Sequence, residues 1–303
     1  MPSLGIREIV MKLTITGYST AMFATWFFID ELGLLFDAGD GLSAGLLQKS
    51  RKVKHVFISH ADRDHLAGLL QFNQLNARED FPVIYYPADS GSFPALAEFM
   101  QRFDTQAKGT VWKPIKPGDC IEIKKGVFVE AIRNGHVSAP EGIAKSLSFR
   151  VFENKSKLKA EFLHLPGKEI AQLRKEHGPE YTSETERRPI IDYSGDTPVE
   201  DLQRWQNSNI LIHEATFLGK EMEQGLVKKR NQHSTLEQVI EMVSGIKVQQ
   251  LVLSHFSSRY AHEEIDAQIE KLCHKYALNI PVYRVLPGTI ARNILSEPLL
   301  LNS

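Results

Sequence analysis

Ser59-His60-Ala61-Asp62-Arg63-Asp64-His65 carries four side chains able to bind metal within six residues, His60 to His65. The run Val53 to Ser59 before it suits a strand buried on both faces. After it, Leu66, Leu69, Leu70 and Leu75 recur at roughly helical spacing, which predicts a helix from Asp64 to Asn76 with Asp64 as a cap. The cluster therefore falls on a strand-to-helix turn, where side chains two to five apart converge on two neighbouring points. A pair of divalent ions held there suits hydrolysis, because one acidifies water towards neutral pH and the other offsets developing negative charge.

Outward from the cluster, short apolar runs alternate with turn signals. Lys12 to Thr16, Thr25 to Ile29 and Gly33 to Phe36 read as strands before it, with the polar loop Asp37-Ala38-Gly39-Asp40-Gly41 and a short helical stretch to Ser50 following. Pro82 to Tyr86, Cys120 to Ile123, Val127 to Ile132 and Leu147 to Phe152 read as strands after it, with Lys124-Lys125-Gly126 as a hairpin turn. Ile190 to Tyr193, Ile210 to Ile212 and Gln250 to Leu253 each end in a polar group: Ser194-Gly195-Asp196-Thr197, His213-Glu214-Ala215-Thr216 and Ser254-His255. Delivery of His or Asp at strand C-termini thus recurs through the chain, adding His136, Asp196 and His255 to the candidate ligands. Ser234-Thr235-Leu236-Glu237 reads as a capping box opening a helix to about Gly245. The Lys- and Glu-rich stretch 153–188 reads as a surface insertion between strands, and Met1 to Val10 as a loose extension.

These elements predict an α/β protein in one domain spanning 1–303, a size that folds built from two halves reach as a single unit. A net charge of -1 and a pI near 6.8 argue against a wholly basic nucleic-acid binder and leave room for a local basic groove. Cys120 and Cys273 lie far apart with no CxxC pair, so metal must be held by His and carboxylate, and a reducing compartment is expected. Neither a secretory signal nor an apolar run of about 18 residues is present, which predicts a cytoplasmic protein away from membranes.

Here the motifs become specific. SHADRDH at 59–65 resembles the HxHxDH metal motif of the metallo-β-lactamase superfamily, with Asp62 where the second His is usual. NGH at 134–136, SGDT at 194–197 and LSHFSSRY at 253–260 resemble that superfamily's later landmarks, in order. The resemblance implies an αββα sandwich, two mixed sheets with helices on their outer faces and metals at one edge. Carried over by position, it implies two divalent metal ions: His60, Asp62 and His136 on one, Asp64, His65 and His255 on the other, Asp196 bridging. Zinc is the first expectation, while the harder, charged Asp62 ligand shifts preference towards iron or manganese.

HEATF at 213–217, His233-Ser234-Thr235 and SHFSSRY at 254–260 further resemble the ribonuclease Z group, which removes 3′ trailers from tRNA precursors. That resemblance implies a Glu214–His233 pair in which His233 protonates the departing oxygen, the acid that a poor leaving group needs. Asp64 would be both ligand and candidate base for water. Ser257 and Arg259 are candidate phosphate contacts, since the guanidinium fork matches phosphate oxygens. His55, His164, His177, His262 and His274 lack strand-end context and read as ordinary histidines. The expected partners are RNA, in particular pre-tRNA, and a second copy of the chain. Family members also carry an arm that grips the tRNA elbow, inserted near 153–188, yet this stretch shows no arm motif and its mixed charges read as a solvated surface. Two alternatives stay open: a hydrolase of small phosphodiesters such as cyclic nucleotides, and a metal-binding module with little turnover.

Overall fold

In the computed structural model, residues 12–219 and 232–299 are described, so the expected extension Met1 to Val10 lies outside them. One sheet contains β1 (Ile15–Thr20), β2 (Ala24–Ile29), β3 (Leu34–Phe36), β4 (His55–Phe57), β5 (Val83–Pro87) and β6 (Val111–Ile115), side by side in that order. Its first two pairings are antiparallel and the other three parallel. The second sheet contains β7 (Cys120–Lys124), β8 (Val127–Arg133), β9 (Leu147–Leu158), β10 (Ser183–Tyr193), β11 (Ser208–Glu214), β12 (Val248–Ser254) and β13 (Val282–Arg284), again neighbours in order. It is antiparallel from β7 to β10 and parallel from β10 to β13.

Strand periodicity divides each sheet's side chains between two layers. On β2, Phe27 and Ile29 join Phe36, Phe57, Phe149 and Tyr193 in the core between the sheets. Trp26 and Phe28 face outward and pack with α1 (Leu42–Leu46), α3 (Leu69–Asn76) and α4 (Ser92–Phe103) through Leu42, Leu46, Phe72, Phe93 and Met100. On the far side Leu211, Leu251 and Leu253 pack with α7 (Leu236–Ser244) and α8 (His262–Lys275) through Val239, Ile240, Ile265 and Ile269. The helices therefore flank two facing sheets, the αββα order expected from sequence. Among the described residues no helix is long and apolar enough to cross a membrane.

Several expectations are corrected. The first strand starts at Ile15 rather than Lys12 and runs on to Thr20, because the ladder with β2 continues to Thr20↔Ala24. Its polar residues are buried, with the Ser19 and Thr25 hydroxyls 3.1 Å apart in a hydrogen bond, so alternation gave no outward signal. The helix expected over 64–76 is broken into α2 (Arg63–Leu66) and α3. Gly68 makes the break: its amide donates to Ala38 O at 2.8 Å, and a Cβ there would meet Gly39 O at 2.2 Å. Asp64 is no cap; it sits inside the first turn, which leaves its carboxylate for the site.

The capping box is shifted by one residue. Thr235 accepts from the Gln238 amide, and the Gln238 side chain accepts from the Thr235 amide. Such a cap contributes about 1 kcal/mol. Ser234 is thereby released to donate to Thr197 O at 2.6 Å, tying the segment that carries His233 to the loop that carries Asp196.

The stretch 153–188 lies largely at the surface, but its ends belong to the flanking strands. β9 pairs with β8 only as far as Glu153, whereas its ladder with β10 continues to Leu158↔Ser183. Beyond the sheet these strands form a two-stranded arm, tipped by α5 (Gly167–His177) and α6 (Pro179–Thr182). Arg174 fastens the tip by donating to the Thr182 and Ser183 hydroxyls at 2.9 Å each, and the His177 and Tyr181 rings meet with centroids 4.6 Å apart. A ribbon solvated on both faces needs no apolar alternation, which is why its strands were unreadable in sequence.

Candidate metal centre

The sheets present their polar residues at one edge, past the C-terminal ends of β4, β8, β10, β11 and β12. His60, His65, His136 and His255 are buried there, with Asp196, and Asp64 lies at their rim. Asp196 Oδ2 is 3.3 Å from Nε2 of His65 and of His255, 3.8 Å from that of His60 and 4.0 Å from that of His136. Asp64 Oδ2 is 3.7 Å from His65 Nε2 and 3.5 Å from His255 Nε2. Asp62 Oδ2 stands 3.7 Å from His60 Nε2 and 3.6 Å from His136 Nε2, on the exposed side of that pair. Six of the expected ligands fall into two metal-competent groups that share Asp196, Asp64-His65-Asp196-His255 and His60-His136-Asp196, and a third group joins Glu214, His233 and His255; Asp62 lies near His60 and His136 but belongs to none of them. None of His55, His164, His177, His262 and His274 belongs to a metal-competent group among the described residues.

The imidazole tautomers fit cations. His136 Nδ1 donates to Gln232 O at 2.8 Å and His65 Nδ1 to Asp37 Oδ2 at 2.8 Å. Ser59 Oγ donates its one proton to Asp37 Oδ2 and so accepts from His60 Nδ1 at 2.9 Å. Thr216 Oγ1 donates to Glu214 Oε2 at 2.6 Å and accepts from His255 Nδ1 at 2.9 Å. Where Nδ1 carries the only ring proton, Nε2 offers its lone pair to a metal. All four Nε2 atoms are buried and have no hydrogen-bond partner. A tetrahedral ion with bonds of about 2.0–2.1 Å separates its ligand atoms by about 3.3 Å, the spacing that Asp196 keeps from His65 and His255. The residues fit divalent metal.

Backbone conformation sets this edge. His255 has φ 62° and Asp37 φ 53°, both left-handed. Gly195, at φ 57°, brings Asp196 past Ser59, where a Cβ would approach the Ser59 side chain to 2.9 Å.

Beside the ligands, buried Glu214 accepts from the Thr197 amide at 2.8 Å, the Thr216 amide at 3.2 Å and His233 Nδ1 at 3.0 Å. Burial works against a charged His233, but the Glu214 carboxylate outweighs it and pushes His233 up to about 9. Burial likewise raises Glu214, and His233 draws it back below the usual carboxylate range. A carboxylate at this distance favours the charged form of the imidazole, the form that can act as an acid. Ser257 and Arg259 follow His255 closely in the chain: the exposed Arg259 donates to Ser257 Oγ at 2.9 Å, and the Ser257 amide donates to Thr216 O at 3.1 Å.

Asp37, Ser59, Tyr193 and Thr216 were not anticipated. Asp37 accepts from Ser59 N, Ser59 Oγ, His65 Nδ1 and Tyr193 Oη, and Thr216 joins Glu214 to His255. Their only sequence signal was adjacency: Asp37 opens a polar loop after a strand, Ser59 precedes His60, and Thr216 closes HEAT. Outer-shell partners of metal-binding histidines tune affinity about 10- to 100-fold. Asp37→Asn is therefore expected to weaken metal binding by about that factor, read by chelator competition on a chain whose circular dichroism is unchanged. Unaltered affinity would remove Asp37 from the positioning network.

Residues 34–179 match the family model described as the beta-lactamase superfamily domain. A chloroplastic tRNase Z from Arabidopsis thaliana is 28% identical, over 88% of this chain and 73% of its own. The structure superposes on a short form of human tRNase Z with a TM-score of 0.59 at 19% identity, covering 92% of this chain and 98% of that one. The metallo-β-lactamase fold protein YhfI from Bacillus subtilis gives a TM-score of 0.60 at 15% identity, covering 92% and 99%. A ribonuclease Z from Methanosarcina acetivorans is 31% identical over 76% of this chain and 80% of its own, and on that similarity the chain belongs to the ribonuclease Z family of the metallo-β-lactamase superfamily.

Proposed function

We propose that the chain is a metal-dependent phosphodiesterase that cleaves RNA, trimming tRNA precursors at their 3′ ends. The observation that carries this reading is the set of four buried imidazoles with unpartnered Nε2 atoms, set beside a His233 whose Nδ1 lies 3.0 Å from the buried Glu214 carboxylate. Two divalent ions, zinc first, would acidify the attacking water and offset charge on the phosphate. His60, Asp62 and His136 would hold one, Asp64, His65 and His255 the other, and Asp196 would serve both. Asp64 also takes up the water's proton, His233 gives one to the departing ribose oxygen, and Glu214 keeps His233 charged and aimed. Ser257 and Arg259 contact phosphate oxygens on the substrate side.

RNA is favoured over a small phosphodiester by the arm, which stands where the resemblance places a tRNA-gripping insertion. Its tip presents exposed Lys168, Lys175 and Tyr181. The proposal includes a homodimer and a cytoplasmic setting, to which two free cysteines are suited; sedimentation at the mass of a single chain would exclude the dimer.

The test joins elemental analysis with turnover of pre-tRNA and of bis(p-nitrophenyl) phosphate by one preparation. Metal without turnover would leave only a binding module. Replacing residues 159–182 by a short Gly/Ser turn is expected to raise KM for pre-tRNA at least about tenfold, the effect of losing ~1.4 kcal/mol of contact. Metal content and hydrolysis of the small ester should stay as in the parent. Unchanged pre-tRNA cleavage would assign the arm no grip and favour the small-phosphodiester reading.

A further inference from the structure

The turn between β1 and β2 puts apolar side chains where a polar surface is expected. Met22 and Phe23 are 87% and 63% exposed, consecutive, and at the rim of the metal centre. Met22 N donates to Asp64 Oδ2 at 3.1 Å, which fastens the turn to a candidate metal ligand. Met22 also has φ 68°, a left-handed conformation rare for residues other than Gly, Asn and Asp. Strain of this kind persists where the surroundings impose it, and it gathers at binding sites.

The surroundings here do impose it. Phe23 N donates to Thr20 O at 3.0 Å, Ala21 N to Phe256 O at 3.2 Å and Gly288 N to Thr20 Oγ1 at 2.9 Å. The turn is thus tied to both halves of the molecule, and its two large side chains are held out on a fixed backbone. An aromatic ring and a polarisable thioether attract an apolar, flat group rather than a phosphate. In a nucleic acid, the flat group next to a phosphate is the base.

We infer that Met22 and Phe23 form a stacking platform for a nucleobase flanking the phosphate cut at the metal centre, and so set preference among substrates. This rests on the ribonuclease reading and deepens it. Stacking accepts any base face, so the platform favours strong stackers without reading a sequence.

The experiment compares the metal-loaded parent with Phe23→Ala, Phe23→Tyr and Met22→Asn. Substrates are pre-tRNA and the same RNA with an abasic nucleotide on one or other side of the cut. On one side, loss of the base should lower kcat/KM of the parent about 10- to 100-fold, in line with stacking on an aromatic side chain. Phe23→Ala should lose as much on intact RNA, chiefly through KM, and then lose little more on the abasic substrate. Phe23→Tyr should match the parent. Met22→Asn should raise Tm, because Asn accepts positive φ, while weakening RNA binding with metal content constant. Losses that add, or Phe23→Ala equal to the parent on RNA, overturn the platform and leave the ribonuclease reading standing. A parent that hydrolyses bis(p-nitrophenyl) phosphate and no RNA overturns both.

Discussion

Asp196→Ala is expected to bind neither metal ion and to lose turnover by at least about a thousandfold, the scale set by removing a site's main electrostatic stabiliser. Among the described residues its carboxylate is the one group within 4.0 Å of all four imidazole Nε2 atoms, so its loss opens both ligand groups at once. The unloaded protein prepares the site for cations. Burial disfavours the Asp196 carboxylate, yet His255 and His65 hold it well below the usual carboxylate range. His65 in turn is lifted, against burial, by Asp196 and Asp37. Protons on these imidazoles occupy the positions that metal requires, so acidification should release metal from the parent. Because ligands that bind only the native state add RT ln(1 + [L]/Kd), chelation should lower the parent's stability by about 3 kcal/mol if metal stood at 100 times Kd. Asp196→Ala should show no such response. Elemental analysis, thermal melts with and without chelator, and turnover give three independent readings. Two metal equivalents or full activity in this variant would sink the assignment of Asp196 as the shared ligand.

What sequence revealed, and what it hid, follows from range. His60, Asp64 and His65, which meet at one edge of the sheets, were legible as candidate ligands because such residues on one turn announce themselves by spacing, and the same spacing suggested Asp62. His136, Asp196, Glu214, His233 and His255 were legible through motif order and strand-end placement, which the parallel arrangement of β10 to β12 converts into one edge. The two-sheet order was legible through the family resemblance, whereas the apolar runs by themselves gave only buried strands of an α/β protein. Asp37 was hidden because its partners Ser59, His65 and Tyr193 lie 22, 28 and 156 residues away, and no local pattern encodes such a convergence. The arm was hidden because none of its strand residues is fully buried and they show no apolar alternation. Met22 was hidden because positive φ at a methionine contradicts its own propensity, and only anchoring bonds from distant loops explain it.

His233→Ala separates metal binding from proton donation. His233 Nδ1 is 3.0 Å from Glu214 Oε1 and 3.9 Å from Asp196 Oδ2, so its first partner is the carboxylate that keeps it charged. Both metals should therefore remain when it is removed. A positioned general acid contributes typically about 10²- to 10⁴-fold when the leaving group is poor. The ribose 3′-oxygen is such a group, whereas p-nitrophenolate departs without a proton. His233→Ala is expected to lose rate across that range on pre-tRNA and far less on bis(p-nitrophenyl) phosphate. Glu214→Ala removes the charge that lifts His233 and leaves a buried imidazole, which burial drives towards its neutral form. It also leaves the Thr197 and Thr216 amides and the Thr216 hydroxyl without their acceptor, so some metal loss through His255 is expected besides. Once corrected for metal occupancy, its losses should match those of His233→Ala, and the double variant should add little, because groups acting as one unit are not additive. Equal losses on the two substrates, or a loss of metal in His233→Ala, would make His233 a ligand or a binding group instead of the acid.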